Sequence, residues 1–132
     1  MTNIVKLTKR AETFVSDAQV GVLTTLRPDG TPHSVPVCFT YDSGAGLVRV
    51  LTRAASRKAR NVIASPGGRA TICQVTGPKF LSMEGTAEVS GERARVEEGA
   101  RWYAKRYAYA PPSPPDRVVI EIAVDRVLDG IS

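Results

Sequence analysis

The sequence contains few of the residues from which metal centres, disulfide frameworks and multi-histidine active sites are built. It has one histidine and two cysteines, Cys38 and Cys73, which stand 35 positions apart without a CxxC motif. Such a set predicts neither a metal site nor a disulfide framework. The sequence also has no glycine-flanked serine elbow and no Walker-type glycine loop. An enzyme with this sequence is therefore expected to rely on a cofactor for its chemistry.

Long apolar runs are absent as well. No run approaches the roughly 18 to 20 residues that a transmembrane helix needs, and the opening MTNIVKLTKRAETF lacks the apolar core of a secretory signal. We therefore expect a cytoplasmic protein with no membrane partner. Of the 132 residues, 42% are hydrophobic and 23% carry charges of both signs, a composition that favours one packed core over disorder. Residues 1–132 are expected to form a single domain.

Periodicity and turn residues predict a small, mainly β protein. Apolar residues at helical spacing predict helices at 8–18 and 91–107, and Ser56 is expected to cap a short helix that ends near Ala64. Strands are predicted at 20–26, 33–41, 47–53, 69–75, 79–89 and 117–131. The first three strands are expected to pair as an antiparallel meander, and Gly85 is expected to form a bulge. The predicted fold class is α+β, mainly β, with about six mostly antiparallel strands closing into a small barrel beside two or three helices.

Negative charge is missing from the middle of the chain. Between Ser43 and Met83 there is no Asp or Glu, whereas seven of the 18 basic residues fall there: Arg49, Arg53, Arg57, Lys58, Arg60, Arg69 and Lys79. The other 11 basic and 13 acidic residues give the rest of the chain a charge of −2. Like charges this close repel one another unless an anion or solvent screens them, so the asymmetry favours an anionic partner. Nucleic acid is not expected, because neither a recognition helix nor exposed aromatics on a basic strand are evident.

The anion is expected to bind at Ser56-Arg57-Lys58, where a predicted helix begins. Two cations in the first turn of a helix oppose the helix dipole, at a cost of roughly a few tenths of a kcal/mol each. A phosphate there would instead interact with free backbone N–H groups, the Ser56 hydroxyl and both cations. We therefore expect a phosphate site at this helix start. The alternative is that the basic residues form a solvated face that serves only solubility.

The run Thr52-Arg53-Ala54-Ala55-Ser56-Arg57-Lys58-Ala59-Arg60-Asn61 resembles the phosphate-binding signature of the pyridoxamine 5′-phosphate oxidase-like split β-barrel flavoproteins. The opening helix, the hairpin VGVLTTLRPDGTPHSVPVCFTYD, Gln74 and the run FLSMEGTAEV stand in that family's order, so the resemblance covers nearly the whole chain. It implies a split β-barrel and a homodimer with two flavin-like cofactors in grooves at the subunit interface. A second wall is also expected physically, because so small a domain cannot enclose a tricyclic cofactor.

The resemblance further implies a set of cofactor-binding residues. Thr52, Ser56, Arg57 and Lys58 would hold the cofactor phosphate. The ring system would be lined by Ser34, Val35, Pro36 and Val37, with Gln74 near it and Phe80 of the other subunit covering it. An anionic cofactor tail would have Arg49, Arg53, Arg60, Arg69 or Lys79 available to it.

Departures from the family's pattern narrow the activity. The true pyridoxamine phosphate oxidases are longer and end in an Arg-containing motif, whereas this chain ends VVIEIAVDRVLDGIS, so oxidation of vitamin B6 is not expected. The runs TTLRPDGTPHSVPV, FLSMEGTAEV and RYAYAPPSPPDRVVIEI resemble the deazaflavin-dependent group, close to its biliverdin reductase subgroup. That resemblance implies coenzyme F420, whose phosphate and oligoglutamate tail match seven cations better than FMN does. A tetrapyrrole acceptor carries two propionates that would share these cations.

The reaction implied is hydride transfer from reduced deazaflavin C5 to a conjugated acceptor, with biliverdin as the leading candidate. Rate enhancement would come from positioning and from cations that stabilise charge on the acceptor. No general acid or other catalytic residue is assigned. The alternatives are an FMN-binding oxidoreductase of the same fold and a flavin- or deazaflavin-binding protein without turnover.

Several other side chains have two interpretations each. His33, the only imidazole, is either a catalytic group beside the ring-binding strand or a surface residue at a strand start. Trp102, Tyr103 and Tyr107 either line the substrate or pack a helix against the core. The proline-rich segment 111–115 either borders the pocket or only connects two elements.

Overall fold

The computed structural model describes residues 5–131, which form three helices and one seven-stranded sheet. The helices are α1 (Lys9–Ser16), α2 (Arg57–Ile63) and α3 (Arg93–Tyr107). The strands are β1 (Gly21–Leu26), β2 (Pro32–Val37), β3 (Thr40–Asp42), β4 (Leu47–Arg53), β5 (Arg69–Thr76), β6 (Lys79–Ser90) and β7 (Arg117–Asp129). The predicted α+β, mainly β class is confirmed. Across residues 5–131, no helix is long and apolar enough to cross a membrane.

The connection between the two edge strands forces the sheet to curl. Neighbours follow the order β2-β1-β5-β6-β7-β4-β3, and every neighbouring pair is antiparallel. β2 and β3 lie at opposite edges, yet only Cys38 and Phe39 separate them in the chain. A flat sheet of this size would place its edges roughly 29 Å apart, whereas three Cα steps reach at most about 11 Å. The two edges must therefore approach each other, and the sheet bends into a barrel.

A bulge where β6 pairs with β7 assists this bending. The register between β6 and β7 shifts between Glu84 and Gly85, as the sequence predicted. A Cβ atom at Gly85 would lie 1.9 Å from the carbonyl oxygen of Ala123, so a side chain cannot be accommodated there. Glu84 pairs with Arg126 and Gly85 with Val124, so the extra residue is Asp125 of β7, and it increases the local twist of the strand pair.

The predicted strand 33–41 and the predicted three-stranded meander are wrong. The strand is interrupted at Cys38 and Phe39, after which β3 pairs with β4 at the other edge of the sheet. Phe39 is fully buried. The Tyr107 hydroxyl accepts the backbone N–H of Phe39 at 3.0 Å and donates to its carbonyl oxygen at 2.8 Å. A side chain from α3 thus replaces the strand partner that these backbone groups would otherwise need.

The core lies inside the barrel and α1 closes one of its ends. Fully buried side chains from across the sheet fill the interior: Leu23, Phe39, Val48, Ile72, Leu81, Met83, Ile120 and Ile122. Ala11 and Val15 of α1 belong to the same apolar cluster. Because the interior is filled by the chain's own side chains, ligands of any size must bind on the outer surface.

We predict that Tyr107→Phe lowers the free energy of unfolding by about 1–3 kcal/mol, because it leaves the buried N–H and C=O of Phe39 without partners. The control is Tyr41→Phe, whose half-buried hydroxyl forms no hydrogen bond within residues 5–131, and we expect it to change that free energy by less than about 0.5 kcal/mol. Urea unfolding curves of the three proteins make the measurement. Equal effects of the two substitutions would contradict the role of Tyr107 at the strand break.

Candidate functional site

Two hydroxyl groups meet where β4 leads into α2. Ser56 caps α2, as predicted, and its Oγ accepts the backbone N–H of Ala59 at 3.3 Å. At the end of β4, Thr52 donates its Oγ1 proton to the same Ser56 oxygen at 3.1 Å. A hydroxyl has one proton and two lone pairs. With both lone pairs engaged, Ser56 keeps its own proton available for an external acceptor.

The two cations after Ser56 carry uncompensated charge. Over residues 5–131, neither Arg57 nor Lys58 forms an ion pair, and the first turn of α2 holds no carboxylate. Lys58 is half-buried, and that burial lowers its pKa. The positive end of the helix dipole adds to both charges. An anion bound here would neutralise these charges and stabilise the protein, and no carboxylate of residues 5–131 does so.

The start of α1 shows that the local pattern alone does not make an anion site. Thr8 caps α1 by accepting the N–H of Ala11 at 3.1 Å, and Lys9 and Arg10 follow it. There, however, the first turn contains Glu12, and Arg10 lies 3.7 Å from the carboxylate of Asp129. The start of α2 differs because its cations have no such partner and a second hydroxyl joins its cap.

Three of the seven cations from the acid-free run are neutralised in the fold. Arg49 is buried against Asp42 at 2.9 Å, Arg53 pairs with Asp116 at 3.0 Å, and Arg69 pairs with Asp125 at 2.6 Å and Glu84 at 3.0 Å. The two hydrogen-bonded carboxylates raise the pKa of Arg69. A stretch without acids in sequence is therefore not acid-free in space, and three of the cations that the sequence offered to an anionic ligand have carboxylate partners in the fold. Arg49 and Arg69 now have structural partners, while the Arg53 side chain stays 67% exposed.

Sequence reasoning missed Asp116, which organises the loop before α2. Its carboxylate binds Arg53, accepts the N–H of Ala55 at 3.4 Å, and its carbonyl oxygen accepts the N–H of Ala54 at 2.9 Å. β7 lies beside β4 with Arg117 opposite Arg53, which brings residue 116 to this loop. No local signal in the sequence predicts that pairing.

A groove of about 560 Å³ runs beside the hydroxyl pair. Its lining consists of Leu51, Thr52, Arg53, Pro112, Ser113, Pro114 and Arg117. The proline-rich connector therefore forms one side of the groove, and β4 forms the other. A ligand in this groove can contact both Thr52 and Arg117.

The open edge of β2 offers backbone hydrogen-bonding groups. The hairpin bond from Arg27 N–H to Thr31 C=O, 2.8 Å long, sets which residues of β2 bond to β1. By that alternation the N–H and C=O of Ser34 point away from β1, in agreement with Pro36 lacking an N–H two residues later. Ser34 and Pro36 are exposed, Val35 is half-buried and Val37 is buried in the core. By the same alternation the N–H and C=O of Val37 point toward β1, so Val37 presents no hydrogen-bonding group at the open edge.

His33 lies between this edge and the start of α2. It pairs with Thr25, whose Oγ1 accepts a hydrogen bond from Asn61 of α2 at 3.0 Å. Burial, together with the charges of Arg27, Lys58 and Arg57, lowers the pKa of His33. Its Nδ1 atom is shielded from solvent and has no hydrogen-bond partner among residues 5–131. The predicted ring-binding strand and the predicted phosphate site are therefore neighbours in space.

Gln74 and Phe80 occupy different surroundings. Gln74 is fully buried: its Nε2 donates to the carbonyl oxygen of Phe14 at 3.0 Å, and its Oε1 accepts from Arg106 at 3.0 Å. The amide thus joins α1 and α3 to β5 and has no free group for a ring, which differs from the expectation. Phe80 is half-buried and lies on Gly130, where a Cβ atom would be 2.1 Å from the phenyl ring.

The chain is similar in sequence and in fold to known proteins. The family described as pyridoxamine 5′-phosphate oxidase matches residues 7–129. An F420H(2)-dependent biliverdin reductase from Mycobacterium tuberculosis (strain CDC 1551 / Oshkosh) is 42% identical over 123 residues, which cover 93% of this chain and 88% of the relative.

Two solved structures illustrate the similarity of fold. A conserved hypothetical protein from Mycobacterium tuberculosis has a TM-score of 0.80 at 23% identity, covering 99% of this chain and 88% of that one. An F420 reductase has a TM-score of 0.66 at 24% identity, covering 89% of this chain and 94% of the other. The expected split β-barrel is confirmed.

We predict that His33 titrates below its ordinary pKa of 6.5 and that its pKa rises in the double variant Arg57→Ala, Lys58→Ala, because two repelling charges are removed. Its lowered pKa means that, between the folded pKa and 6.5, the unfolded chain binds more protons. The stability contributed by neutral His33 is therefore fully present above 6.5 and is lost as the pH falls below 6.5 and through the lowered pKa of the folded protein. Inorganic phosphate at constant ionic strength should raise the pKa of the parent protein but not of the variant.

As this is the only histidine in the sequence, NMR of the imidazole protons follows it without assignment ambiguity. The control is Lys9→Ala, Arg10→Ala at the start of α1, which should leave the titration unchanged. A titration that is the same in all three proteins would refute the proximity of His33 to the α2 cations.

Proposed function

The chain belongs to the pyridoxamine 5′-phosphate oxidase family, and from that membership we propose that it is a coenzyme F420-dependent reductase whose acceptor is biliverdin. The observation that carries the proposal is the group formed by Thr52, Ser56, Arg57 and Lys58, where two hydroxyls and two unpaired cations meet. The F420H(2)-dependent biliverdin reductase at 42% identity supports the choice of cofactor and acceptor.

The phosphate of the cofactor would bind at the start of α2. The Ser56 hydroxyl would donate its proton to a hydrogen bond with a phosphate oxygen, since Thr52 and Ala59 already occupy the lone pairs of its oxygen. Arg57 and Lys58 would add charge-assisted hydrogen bonds. The burial that lowers the pKa of Lys58 makes its charge costly without an anion, and a phosphate would remove that cost.

The ring system would lie along the open edge of β2. A flavin-type ring carries an imide edge with an N–H between two carbonyl oxygens. Ser34 presents one N–H and one C=O to this side, so a complementary pair of hydrogen bonds is available. Val35 and Pro36 would continue the contact, and Arg53, partly neutralised by Asp116, would remain accessible beside the groove.

When bound, reduced coenzyme F420 would supply a hydride from C5 for transfer to the conjugated acceptor. The acceptor gains two electrons and one hydrogen in that step, and a proton from solvent completes its reduction. The residues of this chain would hold the two π-systems face to face and place cations near the charge that develops on the acceptor. No side chain of the described residues is assigned as the proton donor.

A homodimer would provide the second wall of the site. A patch of neighbouring side chains crosses the outer face of the sheet, with Pro36 opposite Val22, Cys73 next to Val22, and Ser82 between Cys73 and Leu128. Pro36, Val22 and Leu128 are exposed and apolar, whereas Cys73 and Ser82 are half-buried. Val22 is 41% exposed and Leu128 is 63% exposed. This patch reaches the ring-binding edge of β2 and includes the strand that carries Phe80, which would cover the ring of the other subunit.

The dimer is tested by sedimentation of the parent protein and of Leu128→Glu, which places a charge in the patch. We expect a dimer for the parent and a monomer for the variant. A parent protein that is monomeric at assay concentrations would contradict the two-subunit site.

FMN is the second candidate cofactor. The number of cations that remain unpaired in the fold is smaller than the number in the sequence, and it fits FMN better than the number in the sequence does. Of the seven cations, Arg49, Arg53 and Arg69 are paired with carboxylates. The remaining four are Arg57, Lys58, Arg60 and Lys79, and one phosphate would engage two of them. Charge alone therefore does not separate FMN from coenzyme F420, and binding must be compared directly.

We predict that Arg57→Ala together with Lys58→Ala weakens binding of coenzyme F420 at least about tenfold, since each charge-assisted contact contributes about 1.5–3 kcal/mol. Fluorescence quenching of the cofactor measures the affinity. The matched control is Lys9→Ala with Arg10→Ala, which removes the same charge from a helix with the same cap, and we expect less than about twofold change there.

The acceptor is tested in the same preparations. With reduced coenzyme F420 and biliverdin, the parent protein should produce bilirubin, followed by its absorbance, and the α2 variant should need more cofactor for the same rate. Tight binding without bilirubin formation would indicate a carrier or a different acceptor. Preference for FMN would overturn the cofactor assignment.

A further inference from the structure

A second pocket lies where α1, β3 and α3 meet, and the proposed reductase activity does not use it. Its volume is about 330 Å³, and its lining includes Glu12, Thr40, Tyr41, Trp102 and Lys105. It shares no lining residue with the groove beside Thr52. Both pockets open on the surface, so each can take a ligand independently of the other.

The floor of this pocket contains an unsatisfied hydroxyl. Thr40 is 2% exposed, and its Oγ1 has no hydrogen-bond partner in the chain from residue 5 to 131. Burying a hydroxyl without a partner costs free energy, and native proteins seldom leave one so. A ligand with a polar substituent that reaches Thr40 would supply the missing bond.

The walls of the pocket are aromatic. Trp102 and Tyr41 are both half-buried and line it from α3 and β3. Burial, with smaller effects from Glu12 and Asp42, raises the pKa of Tyr41, so its ring stays neutral. Two flat apolar surfaces beside one hydroxyl are typical of sites that take a planar ring with a directed polar group.

The charge at the rim is positive. The Nζ of Lys105 lies 5.5 Å from the centre of the Trp102 ring, and this lysine forms no ion pair within residues 5–131. Arg106 is hydrogen-bonded to uncharged oxygens: the carbonyl groups of Val15, Asp17 and Gln19 and the amide of Gln74. Its charge is therefore not neutralised either. Against these two cations the lining contains one carboxylate, that of Glu12.

We propose that this pocket binds a small planar aromatic carboxylate. The ring would lie between Trp102 and Tyr41, a polar ring substituent would hydrogen-bond the Thr40 hydroxyl, and the carboxylate would face Lys105. The site is separate from the cofactor site, and the measurement of binding does not depend on reductase activity.

The probe is 2-hydroxybenzoate, which has a planar ring, a carboxylate and an adjacent hydroxyl. Because Trp102 is the only tryptophan in the chain, its fluorescence reports on this pocket alone. We expect a saturable change with a dissociation constant of about 1 mM or less, as for other small ligands. Calorimetry on the same samples checks the affinity without optical interference.

Three substitutions separate the contacts. Lys105→Gln should weaken binding about tenfold, and Lys105→Arg should restore it to within about threefold. Thr40→Val keeps the shape but removes the hydroxyl, and it should weaken binding about threefold or more. The matched control is Lys79→Gln, a cation at the distant β5–β6 turn, which should leave the affinity unchanged. Thermal unfolding confirms that each variant is folded.

Several outcomes would overturn the site. A fluorescence change that remains linear up to about 10 mM would mean that the probe does not bind there. Equal loss in Lys105→Gln and Lys79→Gln would indicate general charge attraction. Equal affinity for 2-hydroxybenzamide would show that the carboxylate is not recognised, and competition by coenzyme F420 would place the probe in the cofactor groove.

Discussion

The short link between β2 and β3 is the constraint on which the rest of the architecture depends. Two residues must join strands that lie at opposite edges of the sheet, and this is possible only when the sheet curls. Phe39 then enters the core, and its backbone groups need partners that no strand can provide. Tyr107 provides them, while Arg106 binds the carbonyl groups that end α1. The end of α3 therefore fixes the barrel and its α1 end together.

Closure of the barrel also creates the candidate site. The curl leaves β2 with an open edge and places its first residues near the start of α2, as the effect of Arg57 and Lys58 on His33 shows. β7 lies beside β4 and brings Asp116 to the loop before α2. The residues expected to bind the phosphate and those expected to bind the ring thus lie in segments roughly twenty residues apart in sequence. The closed barrel brings these two segments together, so no rigid loop is needed to align them.

The parts of this structure that follow from local rules could be predicted from the sequence. The Ser56 cap and the hairpin at Asp29-Gly30 each depend on residues close in the chain. Gly85 marked the position of the register shift, although the extra residue lies on β7. The strand break at Phe39 and the burial of Gln74 could not, because their partners Tyr107 and Arg106 lie 68 and 32 residues away. The same holds for Arg49, Arg53 and Arg69, whose carboxylates come from other strands or connectors. Charge in a sequence is therefore informative about a ligand only after pairing within the fold is known.

Comparison of the two capped helices shows what makes one of them a candidate site. Thr8-Lys9-Arg10 and Ser56-Arg57-Lys58 have the same cap geometry and the same two cations. The fold provides Glu12 in the first turn of α1 and brings Asp129 near Arg10, but it provides no carboxylate to either cation of α2. Repulsion that a protein leaves uncompensated reduces its stability, so a cluster of this kind is expected to persist where a bound anion restores the balance. The same reasoning applies to the Thr40 hydroxyl and to Lys105 in the second pocket, where a different ligand would supply the missing partners.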